Sequence, residues 1–346
     1  RLSNTDLVWE RKTTANAGFD LVGLNNRLRL TAEYFYAKSE DLSVYLPILM
    51  SSGNEGGAPA VNAGSLENQG IEFEVGWNDR VGDFSYSASL NISHLRNKVL
   101  DLGYGQTKYY TSLAKTEIGQ PLGMWYLYKM DGIFQSEEEV SSYVNSKGKV
   151  IQPNALPGDI RYNDYNDDGI ISSEDRQIVG SPWPDFETGI NLGASYKGFD
   201  LIINGYGRFG QQIWNGSAAA AGDFANNQNN FNGLMPWTQE HPVNDRPRIV
   251  YGDSRNSRGD QDRWLENGSF FRLSDITFGY NVPASLCEKV GLDQIRGSVT
   301  LQNLVTITKY SGLDPEFADN GIFTMGADNC SFPNPRAVQF ALSFTF

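Results

Sequence analysis

The 346-residue chain is acidic, with a formal net charge of −13, and 40% of its residues are hydrophobic. The charge argues against a nucleic-acid partner, because phosphate binding needs clustered Lys and Arg. No run approaches the ~18 consecutive apolar residues of a transmembrane helix, and two cysteines cannot build a disulfide framework. The abundant aromatic residues (17 Tyr, 19 Phe and 7 Trp) favour many strands joined by polar loops over a helical enzyme. The first residues lack a signal-peptide pattern, which fits a mature product or a piece of a longer protein.

Alternation of apolar and polar residues recurs along the chain and predicts antiparallel strands. The plainest case runs from Phe84 to Ser93, where aromatic and aliphatic residues alternate with Ser and Asn. Its length of about ten residues is what a tilted membrane-spanning strand needs. The other strand-like runs are Thr13–Val22, Leu28–Tyr36, Ile71–Trp77, Phe186–Tyr196, Phe199–Ile203, Phe271–Pro283, Ser298–Thr308 and Val338–Phe346.

The connections between these runs are of two kinds. Some are short turns, as at Asn25-Asn26 and Lys197-Gly198, whereas the others are long, at about 39–67, 98–184, 210–268 and 309–334. A slip in the alternation near Ser274-Asp275 predicts a β-bulge. Short helices are predicted at the acidic patch Glu137–Val140 and over Ala284–Gln294.

The alternation of short and long connections is typical of an outer-membrane β-barrel with short periplasmic turns and long extracellular loops. A soluble sandwich also has alternating strands, but it gives no reason for every second connection to be long. Lipid does not tolerate an open sheet edge, and single-chain bacterial barrels have an even number of strands, so about nine strands indicate part of a barrel. We therefore predict an all-β fold, an antiparallel transmembrane barrel wall completed by strands outside residues 1–346.

A candidate metal site lies in the longest connection, over residues 164–175. The segment matches a calcium loop of the form D-x-[DN]-x-[DN]-G with a carboxylate at the twelfth position. The expected oxygen ligands come from Asp164, Asn166, Asp168, Ile170 (through its carbonyl), Ser172 and Asp175. Because Asp replaces the usual closing Glu, and Pro153 and Pro157 interrupt any helix before the loop, a structural Ca²⁺ site fits better than a calcium switch. The alternative is an Asp- and Asn-rich turn without an ion.

Several short motifs, in their order and spacing, resemble the C-terminal barrel portion of SusC/RagA-type TonB-dependent outer-membrane transporters. The motifs are Leu7-Val8-Trp9-Glu10, Asn16-Ala17-Gly18-Phe19-Asp20, Leu66-Glu67-Asn68-Gln69-Gly70-Ile71-Glu72, Ile118-Gly119-Gln120-Pro121-Leu122-Gly123, Asp131-Gly132-Ile133-Phe134, Pro157-Gly158-Asp159-Ile160-Arg161-Tyr162, Val179-Gly180-Ser181-Pro182, Phe271-Arg272-Leu273-Ser274, Gln302-Asn303-Leu304, Tyr310-Ser311-Gly312-Leu313-Asp314-Pro315-Glu316 and the terminal Phe.

The resemblance implies a barrel of roughly 22 strands with a plugged lumen, of which this chain supplies about the last nine. It implies active import of glycans or peptides across the outer membrane of a Gram-negative bacterium, by a protein that is not an enzyme. A SusD-like surface lipoprotein would close over the barrel mouth. The TonB complex would act through an N-terminal plug region that residues 1–346 do not contain. The alternative is a passive outer-membrane barrel, or a surface protein for glycan binding or adhesion.

Aromatic residues in the long connections are candidates for contact with an oligosaccharide or peptide substrate or with the lipoprotein. They are Trp125, Tyr126, Trp183, Trp214 and Trp237. For the four tryptophans, packing between loops or contact with the lipoprotein is favoured over direct contact with the ligand. Tyr104, Tyr109 and Tyr110 are candidates for stacking on sugar rings, although membrane-interface belts also use Tyr.

Further predictions concern the terminal Phe, the cysteines and the histidines. The resemblance implies that Phe346 belongs to the assembly signal read by the barrel-assembly machinery. Cys287 and Cys330 fall at opposite membrane faces in this topology and should not pair. The histidines, His94 and His241, lie in different segments and suggest neither a metal pair nor a catalytic relay.

Overall fold

A large antiparallel sheet dominates the computed structural model of the chain, which describes residues 7–45, 60–103, 105–222, 235–253, 255–317, 321 and 323–346. In chain order the strands are β1 (Arg11–Gly23), β2 (Leu28–Glu40), β3 (Ser43–Tyr45), β4 (Ala60–Asn62), β5 (Ser65–Val81), β6 (Phe84–Asp101), β7 (Lys108–Tyr110), β8 (Ala114–Glu117), β9 (Met124–Tyr128), β10 (Met130–Ile133), β11 (Ile160–Tyr162), β12 (Arg176–Gly180), β13 (Phe186–Tyr196), β14 (Phe199–Phe209), β15 (Gln212–Asn215), β16 (Leu265–Asn267), β17 (Phe270–Asn281), β18 (Gln294–Thr308), β19 (Ala327–Asp328) and β20 (Ala337–Thr345).

Nine long strands form this sheet, which we call the wall, in the order β1-β2-β5-β6-β13-β14-β17-β18-β20. Sequence neighbours therefore pair as successive antiparallel hairpins, as the nine alternating runs predicted. Several strands are longer than their sequence patterns: the run predicted from Ile71 to Trp77 is part of the 17-residue strand β5. Likewise β18 begins at Gln294, before the predicted start at Ser298.

The two faces of the wall differ in chemistry. On one face large apolar side chains lie in the open, among them Phe278 at 51% and Phe340 at 76% exposure. The rings of Phe199 and Phe278 stack there across β14 and β17, with centroids 5.7 Å apart. An apolar band this extensive is unusual on a water-soluble surface, and it suits contact with hydrocarbon.

The opposite face is polar, and its side chains pair with one another across the strands. Asn191 donates to Asn204 at 2.5 Å, Thr277 and Thr300 share a hydrogen bond of 2.9 Å, and Arg296 forms an ion pair with Asp200 at 2.6 Å. The period of two along each strand thus separates a lipid-compatible face from a hydrated face, as the alternating sequence predicted.

A β-bulge interrupts the wall where the alternation slips. The register shifts between Leu273 and Asp275 on β17 and between Asn204 and Gly205 on β14. Ser274 is the extra residue, and its hydroxyl donates to the Asn204 carbonyl at 3.2 Å. The predicted bulge is confirmed.

Helices are short: α1 (Glu137–Ser142), α2 (Gly216–Ala221) and α3 (Ala284–Cys287). Helix α1 agrees with the acidic patch predicted to be helical. The helix predicted over Ala284–Gln294 is wrong in its extent. After α3 and a 3₁₀ turn over Glu288–Val290, Gly291 takes a left-handed φ of 74° and the chain turns into β18. No helix in the described ranges is both long and apolar enough to cross a membrane.

The wall strands are joined by short turns at one end and by long loops at the other. The turns lie at 24–27, 82–83 and 197–198, and the fourth connection at this end, 282–293, is longer and contains α3. We name the opposite connections loop A (41–64), loop B (102–185), loop C (210–269) and loop D (309–336). Loop B corresponds to the predicted insert 98–184, but it holds its own short strands and helix α1.

Gly70 offers a test of the wall packing, because an added Cβ there lies 2.3 Å from the His94 carbonyl oxygen and 2.6 Å from Phe35 Cζ. Gly76 is on the same strand and face, yet the nearest atom to its Cβ is 3.8 Å away. We expect Gly70→Ala to lower the free energy of unfolding of the full-length protein by about 1–3 kcal/mol, because the backbone of β6 must move. Gly76→Ala should change it by less than about 1 kcal/mol. Urea unfolding in lipid vesicles, followed by Trp fluorescence, measures both; equal effects would contradict the packing argument.

Candidate functional site: the loop assembly and its cleft

Loops B, C and D pack into one body at the end of the wall, which we call the loop assembly. Strand β15 of loop C pairs with β16 of the same loop and, in parallel, with β19 of loop D. Trp125 and Leu127 of loop B form a buried cluster with Ala327 of loop D. The loops that sequence patterns left without structure therefore share a small hydrophobic core.

The candidate tryptophans hold this assembly together. Each indole N–H donates to another part of the loops: Trp125 to the Gln212 carbonyl (3.1 Å), Trp183 to the Leu122 carbonyl (2.8 Å), Trp214 to the Gly259 carbonyl (2.9 Å) and Trp237 to the Gln135 side chain (2.8 Å). Trp125 is fully buried, and the other three rings are half-buried. These contacts favour the packing role, and contact with substrate or partner stays a prediction.

Two cations lie near the Tyr126 ring. The Arg176 guanidinium is 4.9 Å and the Lys115 ammonium 5.5 Å from the centre of its ring, and Tyr110 packs on it at 5.4 Å. Burial raises the pKa of the Tyr126 hydroxyl above its usual value. Tyr109 packs on Phe323 of loop D, whereas Tyr104 lies outside the described residues.

The Pro157–Tyr162 motif of loop B is fixed to loop C by a buried carboxylate. Asp159, 3% exposed, accepts hydrogen bonds from Arg248 Nε at 2.5 Å and from Asn256 Nδ2 at 2.9 Å. Burial raises the pKa of Asp159, but these hydrogen bonds outweigh it and the net pKa is lowered. The charged form is thus the stable one, and it joins the two loops.

Arg272 plays the corresponding role between the wall and loop D. This side chain on β17 is 2% exposed, pairs with Asp314, and contacts Glu316 Oε2 at 3.0 Å. The backbone N–H of Asn334 donates to the second Asp314 oxygen at 2.9 Å. Two motifs far apart in sequence, Phe271–Ser274 and Tyr310–Glu316, therefore meet through one buried ion pair.

The Asp164–Asp175 segment folds as a closed turn. Asp164 Oδ2 accepts from Gly169 N at 2.8 Å, and Gly169 takes the left-handed φ of 77° that the pattern requires. Asp175 Oδ2 accepts from Ser172 N at 2.7 Å, at the start of a 3₁₀ turn over Ser173–Asp175. Strand β11 leads into the loop and β12 leads out, so no helix flanks it.

The donor set fits a hard cation, because all expected ligands are oxygen atoms. The Asp175 carboxylate is fully buried; burial raises its pKa, and the negative charge of Asp164 adds to the rise. Among the described residues no ion pair includes Asp164, Asp168 or Asp175. Lys149 lies nearby, but its ammonium contacts the Asp168 backbone carbonyl (3.2 Å).

Two observations limit the metal prediction. Within the described ranges, no three His, Cys, Asp or Glu side chains are grouped closely enough to hold a metal ion. The side chains of Asp164, Asp168 and Asp175 also accept hydrogen bonds from backbone amides of their own loop. The calcium site stays a prediction, supported by the turn and by the oxygen donors.

Cys287 lies in the connection 282–293 and Cys330 in loop D at the other end of the wall, as the predicted topology placed them. Cys287 is buried, Cys330 is exposed, and both are free thiols. His94 lies in the interior of β6, where Arg96 Nε donates to its Nε2 at 3.2 Å. His241 makes a backbone contact with Thr238. Phe346 is 90% exposed at the end of the chain.

A cleft of about 700 Å³ opens in the loop assembly. Its lining includes Met130 and Asp131 from loop B, and Arg246, Arg263 and Trp264 from loop C. Cavities of this size hold small-molecule ligands. Of the lining residues named above, only Asp131 belongs to one of the sequence motifs. No sequence pattern identified the others as candidates.

An antiparallel wall with one apolar face, short turns at one end and packed loops at the other defines the class of outer-membrane β-barrel proteins. The sequence is 31% identical over 360 residues to TonB-dependent receptor P3 of Formosa agariphila, covering 99% of this chain and 35% of the receptor. It is 29% identical to TonB-dependent receptor SusC of Bacteroides thetaiotaomicron, covering 99% of this chain and 32% of SusC. The solved RagAB peptide importer in its closed-closed state superposes with a TM-score of 0.79 at 23% identity, over 99% of this chain and 36% of that one. No protein-family model matches the sequence.

The chain is similar over 99–100% of its length to TonB-dependent receptors, SusC among them, and it shares its fold with the RagAB importer. It spans about a third of the length of the curated relatives it matches. The location in the outer membrane of a Gram-negative bacterium, predicted from the sequence, agrees with the similarity to these receptors. The names of these relatives are those of receptors and an importer, in agreement with the expectation of a protein that is not an enzyme.

Gly158 tests the junction between loops B and C. It has a left-handed φ of 90°, and an added Cβ lies 2.4 Å from Trp237 Cε3 and 2.9 Å from Arg248 Cβ. Gly148 has a similar φ of 76° with nothing within 4 Å, so alanine costs about 1–2 kcal/mol at either position through φ alone. We expect Gly158→Ala to raise the rate of proteolysis in loops B and C several-fold more than Gly148→Ala. Equal rates in limited proteolysis of the full-length receptor would contradict the packing of Trp237 on this glycine.

Proposed function

We propose that the protein containing this chain imports nutrients across the outer membrane with energy from the TonB complex. The similarity to TonB-dependent receptors over 99–100% of the chain carries this proposal. In it, the wall forms part of the barrel, a plug region outside residues 1–346 closes the lumen, and loops B, C and D surround the entrance. The substrates are glycans or peptides.

A SusD-like surface lipoprotein is the proposed partner, covering the entrance between rounds of transport. The packed loop assembly supports this, because a rigid rim presents a defined docking surface at low entropic cost. The exposed side chains of Tyr251 (81%) and Phe332 (88%) supply apolar contact area on loops C and D.

We also propose that Phe346 is recognised by the barrel-assembly machinery. Phe346→Ala should therefore reduce the heat-modifiable, assembled fraction of the protein in outer membranes.

Uptake by cells tests the proposed function directly. A strain that carries the full-length gene should accumulate its glycan or peptide substrate, and removal of TonB should abolish accumulation while surface binding persists. Purification from outer membranes should retain the lipoprotein. Binding without TonB-dependent uptake would instead support the alternative, a passive barrel or a surface protein for glycan binding or adhesion.

Within this function we propose that Asp164, Asn166, Asp168, Ser172, Asp175 and the Ile170 carbonyl hold a structural Ca²⁺. The ion would neutralise the loop carboxylates. These residues lie on the same loop as Trp125 and Asp159, so a stiffer segment would steady the part of loop B that contacts loops C and D.

Chelation is therefore expected to speed cleavage within residues 102–185 by several-fold, measured by limited proteolysis of the full-length receptor in EGTA or in excess Ca²⁺. Asp168→Asn removes one charge from a ligand position and should abolish the calcium effect. The matched control Glu174→Gln removes one charge in the same loop outside the ligand set and should preserve it. Equal cleavage of the wild-type receptor in EGTA and Ca²⁺ would refute the site.

A further inference from the structure

The cleft in the loop assembly contains an arginine that forms no ion pair in the described part of the chain. Arg263 lies in a 3₁₀ turn of loop C and lines the cleft. Its Nε is buried without a hydrogen-bond partner, and in the described part of the chain no ion pair includes its guanidinium. An uncompensated cation in a partly dry site is costly, so it usually marks a place where an anion binds.

The side chain is nevertheless held in place. The guanidinium lies over the ring of Trp264, 3.9 Å from its centre, and the indole N–H of Trp264 donates to the Arg258 carbonyl at 2.9 Å. Stacking on an aromatic face fixes the plane of the guanidinium while its N–H donors stay free. Arg263 is thus oriented without being neutralised.

Other charges around the cleft already have partners. Asp131 is near Arg161 (3.7 Å) and Asp245 is near Arg246 (3.7 Å). Asp262 forms no ion pair among the described residues, but its carboxylate accepts the Met130 N–H at 2.8 Å. Burial lowers the pKa of Arg263 to about 10, so it is still positively charged at neutral pH. The cation available to a ligand is therefore Arg263.

We propose that Arg263 binds a carboxylate group of the transported molecule in this cleft. The proposal rests on the proposed import function and narrows its substrate class to acidic ligands. A planar guanidinium with free donors matches a carboxylate in a two-point hydrogen bond. Two sources share this chemistry: the C-terminus of a peptide and the uronic acid of a glycan.

Binding to the full-length receptor in detergent, measured by isothermal titration calorimetry, tests the proposal with four probes. They are a tetrapeptide with a free C-terminus, its C-terminal amide, a tetra-uronic acid and its methyl ester. The receptor should bind one free-acid probe at least about tenfold more tightly than its blocked partner. Which acid is preferred distinguishes a peptide ligand from a glycan ligand.

Arg263→Gln should remove that preference, and Arg263→Lys should restore only part of it because an ammonium lacks the planar fork. Arg246→Gln is the matched control, since Arg246 lines the same cleft but already neighbours Asp245. It should leave the preference intact. Arg263→Gln removes no hydrogen bond within the described residues and only the stacking on Trp264, so the Tm of the receptor without ligand should change by less than about 2 °C.

Three outcomes would overturn the proposal: no preference for either free acid in the wild-type receptor, an unchanged preference in Arg263→Gln, or a lower Tm with equal weakening of acid and blocked probes. The last result would mean that Arg263 is structural. These equilibrium measurements need no TonB, so a failure here is distinct from a failure of TonB-dependent uptake.

Discussion

Pairing of backbone N–H and C=O groups across the wall is the constraint on which the rest of this structure depends. Hydrocarbon offers no alternative partner, so each spanning strand must be bonded on both sides. Seven of the nine wall strands meet this condition within the chain, because only β1 and β20 lie at the edges of the sheet. The residues of both edge strands are almost all exposed, in keeping with neighbours supplied by the rest of a barrel. Because this pairing uses backbone groups, it does not require particular side chains along the wall.

The loops are held together differently: a few buried polar contacts join them in place of a regular hydrogen-bond ladder. Asp159 joins loops B and C, and Arg272 joins the wall to loop D. Asn97 links two further motifs, since its amide donates to Asn68 while its oxygen accepts from the Leu122 N–H. Each contact places a charged or amide group where water is largely excluded, so losing one partner leaves the other unsatisfied. Such contacts select one arrangement of loops that have little apolar core of their own.

The sequence predicted the wall well, because the period of two directly reflects which face each residue occupies. It placed the bulge at Ser274 and indicated part of a barrel from the strand count. It did not predict how the loops pack, since the partners of Asp159 and Arg272 lie about 40–90 residues away and no local pattern encodes them. Packing between loops was among the roles predicted for the tryptophans, but the acceptor of each indole N–H became visible only in the structure. Arg263 was missed because an unpaired charge is a property of its surroundings, which sequence position alone does not reveal.

The indole contacts also affect which loop residues can vary in sequence. Trp125, Trp183, Trp214 and Trp264 all donate to backbone carbonyls of other loop residues. A carbonyl is present whatever the side chain, so the accepting positions place no chemical demand on residue identity. Leu122, for example, can be replaced without removing the carbonyl that accepts from Trp183, provided that the backbone keeps its path. Each of these contacts thus requires the tryptophan but no particular side chain at the accepting residue. The accepting residues can therefore vary in sequence while the loops keep their arrangement.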